Sequence, residues 1–445
     1  MDFTAIRTEF QLPARFPDDV LADARREPDT AGREDATALP LVTIDPPGAK
    51  DLDQAMFIER RDDGYRVHYA IADLGAIVVP GGALDQEVRR RGQTFYLPDG
   101  NVPLHPVELS EGASSLLPDQ TRPAALWTLD LDATGELTAA HVRRALVRSV
   151  ARLDYQHAEH PSIALLPEVG ELRRKKAVER GAIELRLPEQ EAVQIDGELR
   201  LVVHPRTPAD AWNAEISLLT GMAAAKIMLD AKVGLLRTLP APEAKAIEEL
   251  RRSARNLGAD WPEGATAAQV LDRLDPAQPA ALALYTDATR LLRGAAYTAF
   301  DGALPDQRVH GGIGAPYAHV TAPLRRLVDR YGAEICLAIC AGEPVPDWVR
   351  QALPELPKVM EVSDGLAAKV ERACLDLAEA TVLASNIGMD FDAVVLRSGN
   401  GKGEIFIEDP AVLATCTGEL PEGERITARL VTADPATRTV SFQRV

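Results

Sequence analysis

Three carboxylates fall within nine residues near the start of the chain. Asp45, Asp51 and Asp53 follow the apolar run Leu41–Ile44, which is rich in branched residues and lies between prolines. This pattern predicts a short buried strand that ends in an acidic loop. Clustered carboxylates repel one another unless a cation holds them together, and hard oxygen ligands suit Mg²⁺ or Mn²⁺. A solvated acidic loop is the alternative that the spacing alone leaves open.

Composition indicates a globular protein of two or three domains. The chain has 445 residues, of which 46% are hydrophobic and 26% are charged. Its net charge of −18 argues against a protein that binds polyanions through a broad basic surface. The charge does not exclude an enzyme that draws a nucleic acid strand into a locally basic channel. No apolar run approaches the length of a membrane span, so we expect no membrane association.

The cysteines offer no metal site of their own. They are few, unevenly spaced and without a second Cys/His pair at zinc spacing, so we expect buried thiols. Their positions are Cys336, Cys340, Cys374 and Cys416. Together with the absence of a signal-like start, they predict a cytoplasmic protein.

Periodicity predicts helices and strands that alternate before a helix-rich region. Strands are expected at 66–72, 124–131 and 198–203. A buried helix follows from about Asp210, and another is expected after Thr321 with Pro323 in its first turn. A further helix at about 366–385 carries Glu371.

The last part of the chain changes to short strands and turns. Strands are expected at 392–396, 403–407, 425–431 and 439–445, and a five-stranded barrel of this size suits an OB-fold. The predicted fold class is therefore α+β, a mixed sheet and helices followed by a β-barrel. The predicted divisions are a short N-terminal segment 1–38, a catalytic domain 39–387 and an RNA-binding barrel 388–445.

An ordered series of motifs resembles the RNB domain of the ribonuclease II/R family. The series comprises residues 43–55, 70–73, 84–98, 109–110, 115–118, 310–314 and 317–326. The resemblance implies processive, Mg²⁺-dependent hydrolysis of single-stranded RNA from its 3′ end, with release of nucleoside 5′-monophosphates. It also implies a form without the N-terminal cold-shock OB-folds, since only about 38 residues precede the first motif. We expect a monomer.

The resemblance assigns roles to the acidic loop and to one arginine. Asp45 and Asp51 match metal ligands, and Asp53 matches a residue that binds metal or orients the attacking water. Arg325 matches the arginine that stabilises charge on the scissile phosphate, a task suited to a planar guanidinium. The family usually has a fourth aspartate where this chain has Gln54. We expect weaker binding of one metal, or its replacement by a water network, with Gln54 still lining the site.

Further positions match residues that hold the RNA. Tyr96 corresponds to a tyrosine that sets the 3′-terminal nucleotide, and Tyr155 to one associated with ribose recognition. Glu371 corresponds to a glutamate that orients the terminal nucleotide, and Arg326 is expected to contact the RNA backbone or a site aspartate. The two histidines of the later motifs are expected to be structural. These histidines are His310 and His319.

Two departures weaken the expected grip on RNA. The family's stacking phenylalanine is not evident around 183–185, and a glutamate pair survives only as Glu215 after Ala214. Preference for RNA over DNA is accordingly less certain than the cleavage chemistry. The competing functions are a sugar-nonspecific metallonuclease and a catalytically weakened RNA-binding protein. A small-molecule phosphoesterase would explain the acidic loop but not the C-terminal barrel.

Overall fold

The structure is a computed structural model that describes residues 2–195, 197–204 and 206–445. Its α-helices are α1 (Thr4–Glu9), α2 (Asp18–Ala24), α3 (Ala83–Arg91), α4 (Leu166–Glu179), α5 (Pro208–Ala231), α6 (Ala244–Asn256), α7 (Ala267–Asp272), α8 (Pro279–Ala288), α9 (Leu327–Ala341), α10 (Asp347–Ala352) and α11 (Leu356–Leu383). Its β-strands are β1 (Glu34–Asp35), β2 (Leu41–Ile44), β3 (Gln54–Arg61), β4 (Gly64–Ala72), β5 (Thr121–Leu131), β6 (Leu137–Leu153), β7 (Glu189–Ile195), β8 (Glu198–His204), β9 (Val233–Thr238), β10 (Ala296–Asp301), β11 (Asp390–Gly399), β12 (Lys402–Ile407), β13 (Val412–Thr417), β14 (Arg425–Asp434) and β15 (Thr439–Arg444). Single 3₁₀ or π turns lie at Leu74–Ala76, Leu109–Ala113, Pro161–Ile163, Thr289–Leu292 and Ala384–Asn386.

The main sheet has the strand order β1-β6-β2-β3-β4-β5. β3, β4 and β5 run antiparallel to their neighbours, whereas β1 and β2 run parallel to the long strand β6. Because β6 also pairs with β5, the five strands β6, β2, β3, β4 and β5 form a closed ring of hydrogen-bonded neighbours. Tyr69 and Trp127 are fully buried in the core of this sheet. The predicted strands at 66–72 and 124–131 are confirmed as β4 and β5 of this sheet, and the one at 198–203 is confirmed as β8, which pairs with β7 in a separate sheet.

Two helices pack against the sheet, α5 and α9. α5 begins with a capping box in which the Thr207 hydroxyl accepts from the Asp210 N–H and the Asp210 carboxylate accepts from the Thr207 N–H. The prediction that a helix starts after Thr321 is wrong, because α9 begins only at Leu327. Residues 322–326 instead form turns, and Arg326 before the helix has an extended backbone.

The segment that leads into these turns, 317–321, passes between α5 and α9. A Cβ atom at Gly221 would lie 2.1 Å from the Tyr317 ring, and one at Gly332 would lie 2.7 Å from the Val320 side chain. Both approaches are far shorter than van der Waals contact, so only glycine allows the two helices to close on the segment. The helices thereby fix where residues 322–326 leave the core.

Residues 390–444 form the predicted barrel, which is closed in the order β11-β12-β13-β15-β14. Four of its strands coincide with the predicted ones, and β13 is the strand that the sequence did not locate. Its core includes Val395, Ile405 and Phe442. The same core continues into the end of α11, which is longer than the predicted helix because it starts at Leu356 with a proline in its first turn.

Residues 2–38 pack onto the rest of the protein. Phe3 and Ile6 are fully buried in a cluster with Phe95 and Val370, and Arg33 forms a buried ion pair with Asp73. The cysteines are free thiols. Cys336, Cys374 and Cys416 are buried as expected, whereas Cys340, which was also expected to be buried, is partly exposed. Within the described residues, none of the helices combines the length and apolar character needed to cross a bilayer.

Candidate active site

The acidic loop connects β2 to β3 and is pinned at both ends. At its start the Asp45 N–H donates to the Leu153 carbonyl at 3.2 Å. Near its end the Ser115 hydroxyl accepts from the Leu52 N–H at 3.0 Å and donates to the Lys50 carbonyl at 2.6 Å. Leu52 is fully buried, so the aspartates on either side of it are held in fixed positions.

The three carboxylates of this loop are largely buried, and this burial disfavours their ionised forms. Burial, followed by the nearby charge of Asp51, raises the pKa of Asp45 to about 7. Burial also raises the pKa of Asp51. The pKa of Asp53 lies well above its usual range because of burial, although Arg325 and the Leu324 N–H oppose that shift. In addition, Asp45 Oδ2 is buried without a hydrogen-bond partner. Such a cluster favours protons or a cation.

Arg325 projects from the turns at 322–326 toward Asp53. The Asp53 Oδ1 accepts from the Leu324 N–H at 2.8 Å, and its Oδ2 lies 3.9 Å from Arg325 Nε. The Arg325 side chain remains 47% exposed. On the other side, the Thr94 N–H donates to the Arg325 carbonyl at 3.0 Å. The backbone at Arg325 is therefore fixed while its guanidinium stays available to a ligand.

Tyr96 lies beside the same group of charges. It is 51% exposed, and partial burial of its hydroxyl raises its pKa to about 12 against the opposing charge of Arg325. Asp51 and Asp53 add to the shift. The structure thus brings Tyr96 together with the acidic loop and Arg325, and its predicted contact with the 3′-terminal nucleotide stays a prediction.

Tyr155 faces the acidic loop from the segment between β6 and α4. Its hydroxyl accepts from Asn213 Nδ2 at 3.2 Å, and its carbonyl accepts from the Thr207 hydroxyl at 3.0 Å. Burial and the charge of Asp45 raise the pKa of Tyr155 to about 12. The structure therefore places this predicted ribose contact next to the acidic loop and the start of α5.

Gln54 is the first residue of β3 and makes two internal hydrogen bonds. Its Nε2 donates to the Thr321 carbonyl at 2.6 Å, and its Oε1 accepts from the Tyr69 hydroxyl at 2.9 Å. The Thr321 carbonyl oxygen can only accept a hydrogen bond, so the Gln54 amide must point its NH₂ group toward Thr321. The predicted role of Gln54 as a residue of the metal site stays a prediction.

Arg326 has a different environment from Arg325. Its guanidinium forks onto Asp329, with Nε to Oδ2 at 2.5 Å and Nη2 to Oδ1 at 2.9 Å. Asp329 is fully buried and also accepts from the Ala322 N–H at 2.7 Å. Arg326 therefore holds the turn together, and its predicted contact with RNA stays untested.

Glu371 is exposed on α11. Its charge acts on Cys374, near Arg7 and Asp99. Its predicted part in orienting the terminal nucleotide stays a prediction. The predicted structural role of His319 agrees with its burial and with the 2.7 Å hydrogen bond between its Nδ1 and the Tyr297 hydroxyl.

A cavity of ≈ 1340 Å³ opens beside these residues. Gln54, Tyr155 and Arg325 line one side of it, and barrel residues such as Phe406 and Arg425 line another. Sequence reasoning missed several of its polar lining residues because their positions give no local signal. These include Arg186, Arg206, Asn213 and Arg425.

The donor set fits a hard divalent cation that completes its coordination with other ligands. Among the described residues, no group of three or more His, Cys, Asp or Glu side chains is arranged to hold an ion alone. Mg²⁺, however, commonly uses one or two carboxylates together with waters and substrate phosphates. Asp45, with its unpartnered oxygen, and Asp51 suit that arrangement, whereas Asp53 already bonds the Leu324 N–H.

Comparison with known proteins identifies the class. Residues 33–339 match the RNB domain, and residues 389–445 match the C-terminal S1 domain of RNase II-type exonucleases. The chain belongs to the RNB-domain family of ribonucleases, whose members are RNA-degrading 3′→5′ exoribonucleases that generally depend on divalent metals. The ribonuclease II/R resemblance of the sequence is therefore confirmed.

One sequence relative and two solved structures show how far the similarity extends. Ribonuclease R of Escherichia coli is 31% identical over 358 residues, a match that covers 73% of this chain and 43% of that protein. The chain thus spans less than half the length of that relative. Mycoplasma genitalium RNase R, solved with ribose-methylated single-stranded RNA, superposes with a TM-score of 0.89 at 19% identity, covering 99% of this chain and 77% of that one. Yeast Ssd1, a pseudonuclease, gives a TM-score of 0.73 at 16% identity, covering 91% and 54%.

Proposed function

We propose that this chain hydrolyses single-stranded RNA processively from the 3′ end and releases nucleoside 5′-monophosphates, in RNA degradation or processing. The observation that carries the proposal is the meeting of Asp45, Asp51 and Asp53 with Arg325 beside the large cavity. Buried carboxylates without enough counter-charge, facing an exposed guanidinium, are suited to phosphodiester chemistry.

Each residue of the site has a distinct part in this proposal. Asp45 and Asp51 would hold Mg²⁺ or Mn²⁺, and the bound ion would supply an activated water and neutralise charge on the leaving oxygen. Asp53 takes part in metal binding or orients the water, and its bond to the Leu324 N–H fixes the carboxylate. Arg325 binds non-bridging phosphate oxygens, and it stabilises the transition state most strongly because charge develops on those oxygens there.

The substrate is positioned by residues beside Arg325 and along the cavity. Tyr96 presents a half-exposed ring next to Arg325, where the 3′-terminal nucleotide would lie. Tyr155 and Asn213 offer hydroxyl and amide groups for a ribose. The cavity lining carries both arginines and carboxylates, and Arg174, Arg186 and Arg206 already pair with Glu171, Asp272 and Glu189. Arg325 and Arg425 are therefore the cavity cations that we propose for phosphate contacts.

The barrel would bind the single-stranded RNA where it enters the cavity. Arg425 and Phe406 line the cavity from β14 and β12, so residues 388–445 are proposed as the RNA-binding module beside the catalytic part 39–387. An entering single strand fits a groove that combines cations with aromatic surface. A monomeric state and a cytoplasmic location stay predictions.

The test is a time course on single-stranded RNA carrying a 5′ label, with and without Mg²⁺. The proposal expects Mg²⁺-dependent mononucleotide release from the unlabelled end, with long labelled RNA persisting until a short labelled end product accumulates. Internal cuts would indicate an endonuclease. A matched DNA strand, and an RNA with a 2′-deoxy 3′ terminus, separate this function from a sugar-nonspecific metallonuclease.

A second candidate is a catalytically weakened RNA-binding protein, and Gln54 is the observation that favours it. This residue replaces a carboxylate by an uncharged amide beside the aspartates. The same experiment separates the two functions: RNA binding without nucleotide release, throughout Mg²⁺ and Mn²⁺ titrations, would favour the second.

A further inference from the structure

We infer that Gln54 is a positioning residue for Arg325 and not a ligand of the metal. The inference rests on the proposed function, because it assigns a task to Gln54 within that reaction. It concerns the departure of this chain from the family's aspartate at the same position.

Both polar ends of Gln54 are occupied by protein groups. Its Nε2 donates to the Thr321 carbonyl at 2.6 Å and its Oε1 accepts from the Tyr69 hydroxyl at 2.9 Å. Tyr69 is fully buried, so its hydroxyl has a fixed direction. Gln54 thus links β4 to the segment 317–321 through one side chain.

A carboxylate could not make the same connection. The Thr321 carbonyl needs a donor, and an ionised aspartate or glutamate offers only acceptors. Two oxygens facing each other in a partly buried site would repel and leave the carbonyl unpaired. The amide is therefore the chemically required group for this contact, and the replacement of an acidic residue has a structural reason.

The contact at Thr321 reaches Arg325 through a short, firmly held stretch of chain. The Thr321 hydroxyl shares a 2.8 Å hydrogen bond with Ser217, and the next residue, Ala322, donates its N–H to Asp329. Two residues further on, Leu324 donates to Asp53. Gln54 and its neighbour Asp53 therefore hold the two ends of the segment 321–324, and Arg325 follows immediately.

This arrangement leaves the metal to the aspartates. Asp45 Oδ2 is the buried acceptor of the loop that has no hydrogen-bond partner, whereas the Gln54 oxygen already accepts from Tyr69. The positioning role predicts that changes at Gln54 alter turnover without weakening metal affinity.

The experiment compares Gln54→Met and Gln54→Glu with a matched control, Gln86→Met. The Gln86 amide also donates to a backbone carbonyl, that of Gly81, but on the exposed surface of α3. For each full-length variant, Mn²⁺ binding is measured by isothermal titration without RNA. Single-turnover cleavage, RNA affinity and thermal unfolding are measured in parallel.

The positioning role predicts about a tenfold loss of single-turnover rate for Gln54→Met and for Gln54→Glu, at RNA affinity within about threefold of the wild type. Mn²⁺ affinity of Gln54→Met should stay within about twofold, and Gln86→Met should match the wild type. Weaker Mn²⁺ binding by Gln54→Met, or unchanged or faster cleavage by Gln54→Glu, would overturn it. Gln54→Glu, being nearly isosteric, keeps the comparison decisive if Gln54→Met fails to fold.

A double-mutant cycle with Arg325→Ala separates this inference from the proposed function. If Gln54 acts through Arg325, Gln54→Met should cost less than about threefold in the Arg325→Ala background. Full additivity, together with a strong loss in Arg325→Ala alone, would refute the positioning role and leave the proposed function intact. If Arg325→Ala itself had no effect on cleavage, the proposed function would fail at that residue.

Discussion

Asp53 Oδ2 lies 3.9 Å from Arg325 Nε. The same carboxylate accepts a hydrogen bond from the N–H of Leu324, the residue before Arg325, which is 271 positions away from Asp53 in the sequence. Asp53 is almost fully buried and Arg325 is half exposed. The acidic residue is therefore part of the fixed site, and the basic one can change its partner from Asp53 to a phosphate. This division of roles leads to the first prediction.

Replacing Arg325 by alanine should reduce turnover much more than RNA affinity. We expect a loss of about 10²- to 10³-fold in the rate of the chemical step, because the guanidinium stabilises charge that develops there. The dissociation constant for RNA should rise by less than about threefold. Rapid-quench cleavage and filter binding measure the two quantities. Arg372→Ala, on the exposed face of α11 in a pair with Asp376, is the control; equal losses in rate and affinity for Arg325→Ala would contradict the assigned role.

Replacing Arg326 by alanine should instead destabilise the fold. The change leaves the fully buried Asp329 carboxylate without its forked partner, a loss of about 3–5 kcal/mol in the free energy of unfolding. Denaturant titration of both variants provides the comparison. Arg325→Ala should lose less than about 1 kcal/mol, since its side chain is half exposed. Similar stabilities for the two variants would show that Arg326 does not hold the turn.

Metal binding should become more stabilising as the pH rises. The pKa of Asp45 is raised to about 7 by burial, so the protonated carboxyl favours the folded state. In the metal-free protein this stability is present below pH 4 and is lost as the pH rises through 7. We therefore expect Mg²⁺ to raise the melting temperature more at pH 8 than at pH 5.5.

Asp45→Asn is the matched variant for this pH effect. Without metal it should exceed the wild type in stability by about 4 kcal/mol at pH 8, because the buried charge is gone. The difference should shrink at pH 5.5, and the Mg²⁺-dependent gain should be smaller than in the wild type. An Mg²⁺ effect that is independent of pH in the wild type would argue against the raised pKa.

Replacing Arg425 by alanine should weaken RNA binding through electrostatics alone. Arg425 lines the cavity from the barrel, and the loss of one phosphate contact lowers the slope of log affinity against log salt by about one. Affinity titrations at several salt concentrations measure this slope. Arg429→Ala, on the same strand but paired with Asp390 at 2.6 Å, should keep the wild-type slope. An unchanged slope for Arg425→Ala would exclude this side of the barrel from the RNA path.

The local elements could be predicted from the sequence wherever burial imposes a period. β4 and β5 alternate or stay apolar over enough residues to be recognised, and the motif around Asp45–Asp53 indicated the candidate site. The turns at 322–326 could not be predicted, because Leu324 is bonded to Asp53 and Ala322 to Asp329. Pro323 and the apolar spacing after it suit a helix, yet the helix starts only at Leu327.

Long-range hydrogen bonds also decide the roles of individual residues within the candidate site. Arg325 and Arg326 are indistinguishable as adjacent arginines in the sequence, and only the position of Asp329 makes one a structural residue. Gln54 likewise gains its meaning from Thr321 and Tyr69. Long-range hydrogen bonds decide these assignments, and they leave no periodic signal in a single sequence.

The most direct test of the whole account compares the wild type with Asp53→Asn on single-stranded RNA. The asparagine keeps an oxygen for the Leu324 N–H and removes the charge next to Arg325. We predict Mg²⁺-dependent release of nucleoside 5′-monophosphates by the wild type. Asp53→Asn should bind RNA within about threefold of the wild type and cleave it at least about 10²-fold more slowly. Equal cleavage by both proteins, or no nucleotide release by the wild type with either Mg²⁺ or Mn²⁺, would contradict the account.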